Sequence, residues 1–286
     1  MNSGLVAALL ASLSFSLMNV CARELSTAMP VTETVFLRGL IGVAITLAVM
    51  RARRVRLASP RPWLLSSRGL MGGGSLLATF YTVAYMKLAD ASILANLAPL
   101  FVVLGAALLL GEKLPARCWP AFGAAFAGTL LIVEPGAGTL QSTWAAVGIV
   151  GAVLAAGASL SIRSLSQDHP TETIMLAFLG AAVLMPLPFA GEFIAPRTAD
   201  VPWIAGMGAA SFAGQWCLIR AYTLAPTAEV AAARYTGILF DLGFGFVLWG
   251  ELLSAPHVAG GMGIVVGCLI LLWPELARKP VPARVW

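Results

Sequence analysis

Arg234 and Asp241 stand seven residues apart inside an otherwise apolar stretch, residues 230–253. That stretch is about the length a helix needs to cross a bilayer. A charge at mid-membrane depth costs roughly 2.5–3.5 kcal/mol on insertion scales. The spacing is close to two helical turns, so the two side chains share one face. That face must look into a protein-lined or water-lined interior, where something is bound or carried. A planar guanidinium fork suits a carboxylate or phosphate. A carboxylate at the same depth is a candidate coupling group: if Arg234 turns from it to a substrate, Asp241 loses its counter-charge and takes up a proton. A permanent Arg–Asp ion pair that fixes helix packing is the alternative use of the two residues.

Arg38 adds a second intramembrane cation, eight residues after Pro30, or about 12 Å along a helix. Two half-buried arginines point to an anionic group on the substrate. Tyr81, Tyr85, Gln215, Trp216 and Tyr235 offer aromatic faces and polar tips, and Asn19 and Asn96 add amides at membrane depth. Such a mix suits an amphipathic metabolite; packing and interface anchoring are the competing roles. Gly72-Gly73-Gly74 is no phosphate loop, because no P-loop lysine follows. Close helix approach is its expected role. The two histidines, His169 and His257, fall near predicted loops, and no Gly-x-Ser-x-Gly elbow or HExxH helix is present. Cys21, Cys118, Cys217 and Cys268 sit singly, so neither a disulfide framework nor a zinc site is indicated. No catalytic residue, metal site or cofactor is expected. An intramembrane enzyme is the main rival from another class, and these absences tell against it; a non-transporting scaffold or receptor also remains, but it leaves the intramembrane charges unexplained.

The elements that must position these groups are helices. Hydrophobic residues make up 59% of the 286 and charged ones 11%, where soluble domains carry about 25% charged residues. Apolar runs fall at 4–20, 35–50, 69–86, 91–110, 121–133, 145–162, 174–189, 203–218, 230–249 and 258–273. They predict ten transmembrane helices joined mostly by short turns. The first run lacks a basic leader and a small-residue cleavage site, so it reads as a retained helix. With the N-terminus cytoplasmic, thirteen lysines and arginines lie inside, six of them in the segment 51–68, against Arg23, Lys87 and Arg197 outside. This positive-inside bias places both termini in the cytoplasm, across a bacterial-type inner membrane. It also accounts for the basic balance of +5 without nucleic acid. The bilayer, a small molecule and possible protons are the expected partners; monomer and homodimer are both compatible.

The chain also repeats itself. Thr32-Glu33-Thr34 recurs as Thr171-Glu172-Thr173, and Gly111-Glu112 as Gly250-Glu251, both at an offset of 139. Arg23-x-Leu25-Ser26 recurs as Arg163-x-Leu165-Ser166 at 140, and Ala84-Tyr85 as Ala221-Tyr222 at 137. Four matches in one order predict two five-helix repeats, 1–134 and 143–274, followed by a cytoplasmic tail, 275–286. An odd helix number inverts the second repeat, as in secondary transporters that bind substrate near the midplane. At the offset of 139, Arg234, Asp241 and Arg38 face Ala95, Val102 and Ala177. Charges present in one half only favour a substrate-related role. The Gly-Glu pairs occur in both halves and read as turns, and Glu33 reads as a helix-start residue.

On these residues the chain resembles the drug/metabolite transporter superfamily in its ten-helix EamA-type form. The likeness covers nearly the whole sequence. It rests on Pro30 with Phe36-Leu37-Arg38, on Leu88-Ala89-Asp90-Ala91, on LLLGEKL at 108–114 and on WGELL at 249–253. A narrower likeness, to S-adenosylmethionine carriers and an organic-anion solute-carrier branch, rests on Arg68-Gly69 and Arg234-Tyr235. It departs at Ala233, where a proline is often found. The resemblance implies a secondary active transporter working by alternating access, with a cavity lined by helices 1–4 and 6–9 and helices 5 and 10 as outer scaffold. Amino acids, organic acids, S-adenosylmethionine-like metabolites and xenobiotics are the substrate classes it leaves open.

Overall fold

The computed structural model describes residues 3–55, 59–98, 100–102, 104–105, 119–120, 123–124, 127–128, 131, 139–166, 168–225, 230, 233–234, 236–251 and 255–276. Among these residues there is no strand. The helices are α1 Ser3–Leu25, α2 Val31–Arg53, α3 Pro62–Tyr85, α4 Leu88–Ala95, α5 Thr139–Leu165, α6 Thr171–Leu184, α7 Val201–Leu224, α8 Thr236–Trp249 and α9 Ala255–Leu276. The predicted fifth helix, the tail from residue 277, the Gly111-Glu112 pair and Tyr235 lie outside the described residues, apart from isolated positions of that fifth helix. Labels α5 to α9 therefore correspond to predicted helices six to ten.

The chain is an all-α integral membrane protein. Ser3–Leu25, Val31–Arg53 and Thr143–Ile162 are each long and apolar enough to cross a bilayer. Their outward positions carry exposed leucines such as Leu10, Leu17, Leu40 and Leu47, while Asn19, Arg38, Arg68 and Asp241 are buried. Apolar outside and polar inside is the reverse of a soluble protein. It is what a lipid solvent and a polar central path together require.

Helix directions follow from which residues meet. Gly4, Phe15 and Cys21 of α1 lie against Ala225, Gly214 and Gly206, so α1 and α7 run antiparallel. Met71, Ala78 and Thr82 of α3 meet Gly157, Gly151 and Gly148, the same arrangement for α3 and α5. Between α2 and α6, Gly39 sits beside Ala182 and Gly42 beside Leu179. Ser12, Ser16 and Asn19 of α1 reach Ala233, Gly237 and Asp241 in order, so α1 and the ninth predicted helix run parallel. These directions are those of two inverted repeats. A helix of one half pairs with the exchanged helix of the other: first with third, third with first, second with second.

The recurring Thr-Glu-Thr motif serves this symmetry. Glu33, at the start of α2, accepts from the Ile194 N–H at 2.8 Å, beyond the end of α6. Glu172, at the start of α6, pairs with Arg53 in the last turn of α2 at 3.4 Å. Both are buried, so each glutamate ties its helix start to the far end of its counterpart. This is more than the helix-start role read from sequence. Arg197, in the loop before α7, donates from its backbone and guanidinium to Asp200 and holds that carboxylate below its ordinary range.

Two local features depart from the expected layout. The fourth helix pauses: α4 ends at Ala95, and Asn96 and Leu97 form a turn before helix resumes at Ala98. Pro99 follows, and a proline has no N–H to offer the carbonyl of residue 95. The third helix begins earlier than its apolar run, with Pro62 in its first turn. Arg68 therefore sits one and a half turns inside a helix and is 3% exposed. It belongs to the protein interior, so it no longer counts in the tally of basic residues in the cytoplasmic loop.

Candidate functional site

The described residues enclose a central cavity of about 180 Å³. Its walls come from α1 to α8, with nothing from α9. Helix α9 packs outside, its Gly261 against Ile93 of α4 and its Gly263 against Ala124 and Gly128. The charged side chains on the cavity wall are Arg38, Arg68, Arg234 and Asp241.

Arg38 on α2 is fully buried. Its Nε stands 3.3 Å from the Met18 sulfur. Its guanidinium lies 5.9 Å from the centre of the Phe80 ring and 5.2 Å from that of Phe178. Arg68 on α3 lies 4.7 Å from the same Phe178 ring. Ring faces are electron-rich, so they partly repay the cost of burying a cation. Neither arginine has a carboxylate within ion-pair distance among the described residues. Arg38 Nη1 and Arg68 Nε have no hydrogen-bond partner among the described residues. Two adjacent buried cations without a counter-charge are costly, and an anion between them would remove the cost.

Gly72 makes the pair possible. A methyl group there would lie 2.0 Å from Arg68 Nη1 and 2.6 Å from Phe178 Cδ2. The missing side chain lets the guanidinium fold back over its own helix. Gly73 packs on Ala181 and Met185 of α6, so the glycine run allows close helix approach, as its composition suggests.

Asp241 on α8 is 2% exposed. Asn19 Nδ2 approaches its Oδ2 at 3.5 Å, and Oδ1 has no hydrogen-bond partner among the described residues. Ser16 points its hydroxyl at the Gly237 carbonyl, 3.2 Å away. Asp241 is the single carboxylate on the cavity wall among the described residues. Arg234, two turns earlier, is half-buried and faces the same cavity. No ion pair joins Arg234 to Asp241 among the described residues. The two share a face as the spacing predicts, without neutralising each other.

Asn19, Asn96 and Gln215 also line the cavity. Asn96 donates to the Ser92 carbonyl at 2.8 Å, and Gln215 Oε1 is buried without a partner among the described residues. The aromatic candidates fall elsewhere. Tyr81 and Tyr85 stack with Trp144, at ring separations of 5.6 and 4.3 Å, at the end of α3 where Tyr85 is 57% exposed. They form an aromatic stack and do not line the cavity. Trp216 lies under Arg53, 4.9 Å from its guanidinium, in a separate surface groove with Val49 and Phe212. Sequence neighbours on a helix point about 100° apart, so Gln215 faces in and Trp216 does not. Tyr235 lies outside the described residues. Arg68 is the cavity residue that the apolar-run boundary hid.

Beyond the cavity, on the side of the α3–α4 turn, a polar cluster joins four helix ends. Gly250 adopts φ +63° and ends α8, as a terminal glycine should. Glu251 then pairs with Arg23 at 2.5 Å and accepts from the Leu88 N–H at 3.0 Å. Arg23 also donates to the Val83 and Met86 carbonyls, and Trp249 donates to Glu24 at 2.9 Å. The recurring Gly-Glu turn is thus a cross-tie between α1, α3, α4 and α8, where the sequence suggested a turn alone.

Comparison with known proteins agrees with this architecture. The profile of the EamA-like transporter family matches residues 2–134 and again 142–273. The pseudopaline exporter CntI of Pseudomonas aeruginosa is 40% identical over 274 residues, covering 95% of this chain and 96% of that protein. A riboflavin transporter of Rhizobium johnstonii is 27% identical over 284 residues, covering 96% and 92%. A solved crystal structure superposes on 96% of this chain and 99% of its own with a TM-score of 0.69 at 21% identity, a likeness of fold alone. With its buried polar cavity and two matched repeats, this chain belongs to the EamA-like transporter family of the drug/metabolite superfamily: it is a multi-pass membrane transporter, not an enzyme.

Proposed function

We propose that this chain is a secondary active carrier that moves a small anionic, amphipathic metabolite across the inner membrane by alternating access. The observation that supports it best is the pair Arg38 and Arg68, buried at 0% and 3% exposure in the cavity with no carboxylate partner among the described residues. Outward movement is favoured by the 40% identity to a pseudopaline exporter. Residues 1–134 and 143–274 act as the two rocking halves, with 275–286 as a cytoplasmic tail; the twofold match of the family profile supports that division.

Arg38, Arg68 and Arg234 bind the anionic part of the substrate, with Asn19, Asn96 and Gln215 as polar contacts. Asp241 couples transport to protons: it lines the cavity, and no cation pairs with it among the described residues. The test is transport of radiolabelled amino acids, organic acids and S-adenosylmethionine in proteoliposomes, with and without an imposed pH gradient. The gradient is expected to drive accumulation in wild type and not in Asp241→Asn, while exchange of internal for external substrate persists in the variant. Gradient-driven accumulation that survives Asp241→Asn would remove this residue from coupling.

Both termini lie in the cytoplasm on this reading, supported by the remaining basic bias and by the helix directions. In a cysteine-free background, Pro196→Cys is expected to react with an impermeant maleimide added to intact cells. Ser59→Cys should react only after the membrane is opened. The opposite labelling pattern would reverse the orientation.

A further inference from the structure

The charges on the cavity wall are separated by sign. Arg38 from α2 and Arg68 from α3 share the Phe178 ring. Asp241 projects from α8 beside Asn19. The two poles are anchored off consecutive residues of α1: Met18 contacts Arg38, and Asn19 contacts Asp241. Neighbouring residues on a helix point about 100° apart, so α1 presents one pole on each of two adjacent faces.

Opposite charges inside one low-dielectric cavity attract strongly. Here they are held on different helices and do not pair. Among the described residues, Arg38 Nη1, Arg68 Nε and Asp241 Oδ1 each lack a hydrogen-bond partner, and all three residues are more than nine-tenths buried. A simple anion would satisfy the arginines and leave the carboxylate opposite unmet. A simple cation would do the reverse. A molecule carrying both signs answers both poles at once. The wall holds three arginines against one aspartate among the described residues, so the matching ligand has more carboxylates than amines.

We infer that the substrate is an aminopolycarboxylate: a protonated amine sits at Asp241 and Asn19, and two or more carboxylates sit at Arg38, Arg68 and Arg234. This rests on the reading of the cavity as an anion-binding transport site and narrows it to one chemical class.

Two small probes isolate the amine. Iminodiacetate and glutarate have the same chain length and two carboxylates each, and differ by a protonated amine in place of a central methylene. Thermal-shift titration of the full chain in nanodiscs, at neutral pH in metal-free buffer, gives an apparent Kd for each. Iminodiacetate is expected to bind about tenfold more tightly, the order of one charge-assisted hydrogen bond. Asp241→Asn is expected to shrink that ratio towards one. Equal affinities in wild type, or tighter glutarate binding, would overturn the inference while leaving an anion site in place. Failure of both probes to bind would overturn the anion site itself. The wild-type comparison decides even where a variant does not fold.

Discussion

Arg38→Met is expected to make the protein more heat-stable and to abolish transport. The substitution exchanges a fully buried cation for an apolar side chain of similar length. Its neighbours are the Met18 sulfur and the rings of Phe80 and Phe178, none of which needs a charge. Replacing buried ionic groups with well-packed apolar ones is often neutral or stabilising, by about 1–4 kcal/mol. For a chain of this size that corresponds to a rise of several degrees in Tm, at roughly 2–4 °C per kcal/mol. Substrate binding should fall at least about tenfold with the loss of a charge-assisted donor pair. The opposite signs separate two explanations. A structural arginine would lose stability when replaced, and a Tm lowered by several degrees would show that Arg38 holds the helices together. Differential scanning fluorimetry and proteoliposome transport on the same preparation read both quantities.

The second large effect lies at the cross-tie on the far side of the cavity. Arg23, Glu251 and the Leu88 N–H are linked at 2.5 and 3.0 Å, with side-chain exposures of 21% and 10% for the arginine and glutamate. Breaking one partner of a buried pair costs about 3–5 kcal/mol, and partial exposure lowers that figure here. Glu251→Ala removes the ion pair and the hydrogen bond to α4 together. If the cluster closes the cavity on its own side, the variant populates the open form at least about tenfold more, since each 1.4 kcal/mol is a factor of ten. A cysteine placed at Ser92, on the cavity wall, would then react with an impermeant maleimide from that side at least about tenfold faster. An unchanged rate in the folded variant would reduce the cluster to a static tie.

Much of this architecture is legible in the sequence because membranes impose few solutions. Apolar runs and the offset of 139 give the helices and their inversion. Arg38, Arg234 and Asp241 announce themselves by the cost of a charge inside an apolar run. Arg68 does not, because an arginine at the edge of an apolar run looks like an interface anchor. The signal was present in Trp63-Leu64-Leu65, which extends the helix backwards, and in the i, i+4 spacing to Gly72. Tyr81 and Tyr85 are also one turn apart and do share a face, but that face looks at Trp144. A helix periodicity fixes which residues point together, not what they point at. In the sequence Glu251 reads as half of a turn because the turn is local, whereas its partner Arg23 lies 228 residues earlier.

The exchanged pairing of the helices has a bearing on how such a chain is made. The main neighbours of α1, α2 and α3 are α7, α6 and α5, all synthesised later. When the first repeat leaves the ribosome and enters the bilayer, Arg38 and Arg68 arrive before Phe178, the ring they share. The early helices must therefore wait, loosely associated or held by the insertion machinery, until their counterparts emerge. Assembly becomes a late, whole-chain event in which neither repeat matures alone, and the half-finished protein is the stage most open to quality control.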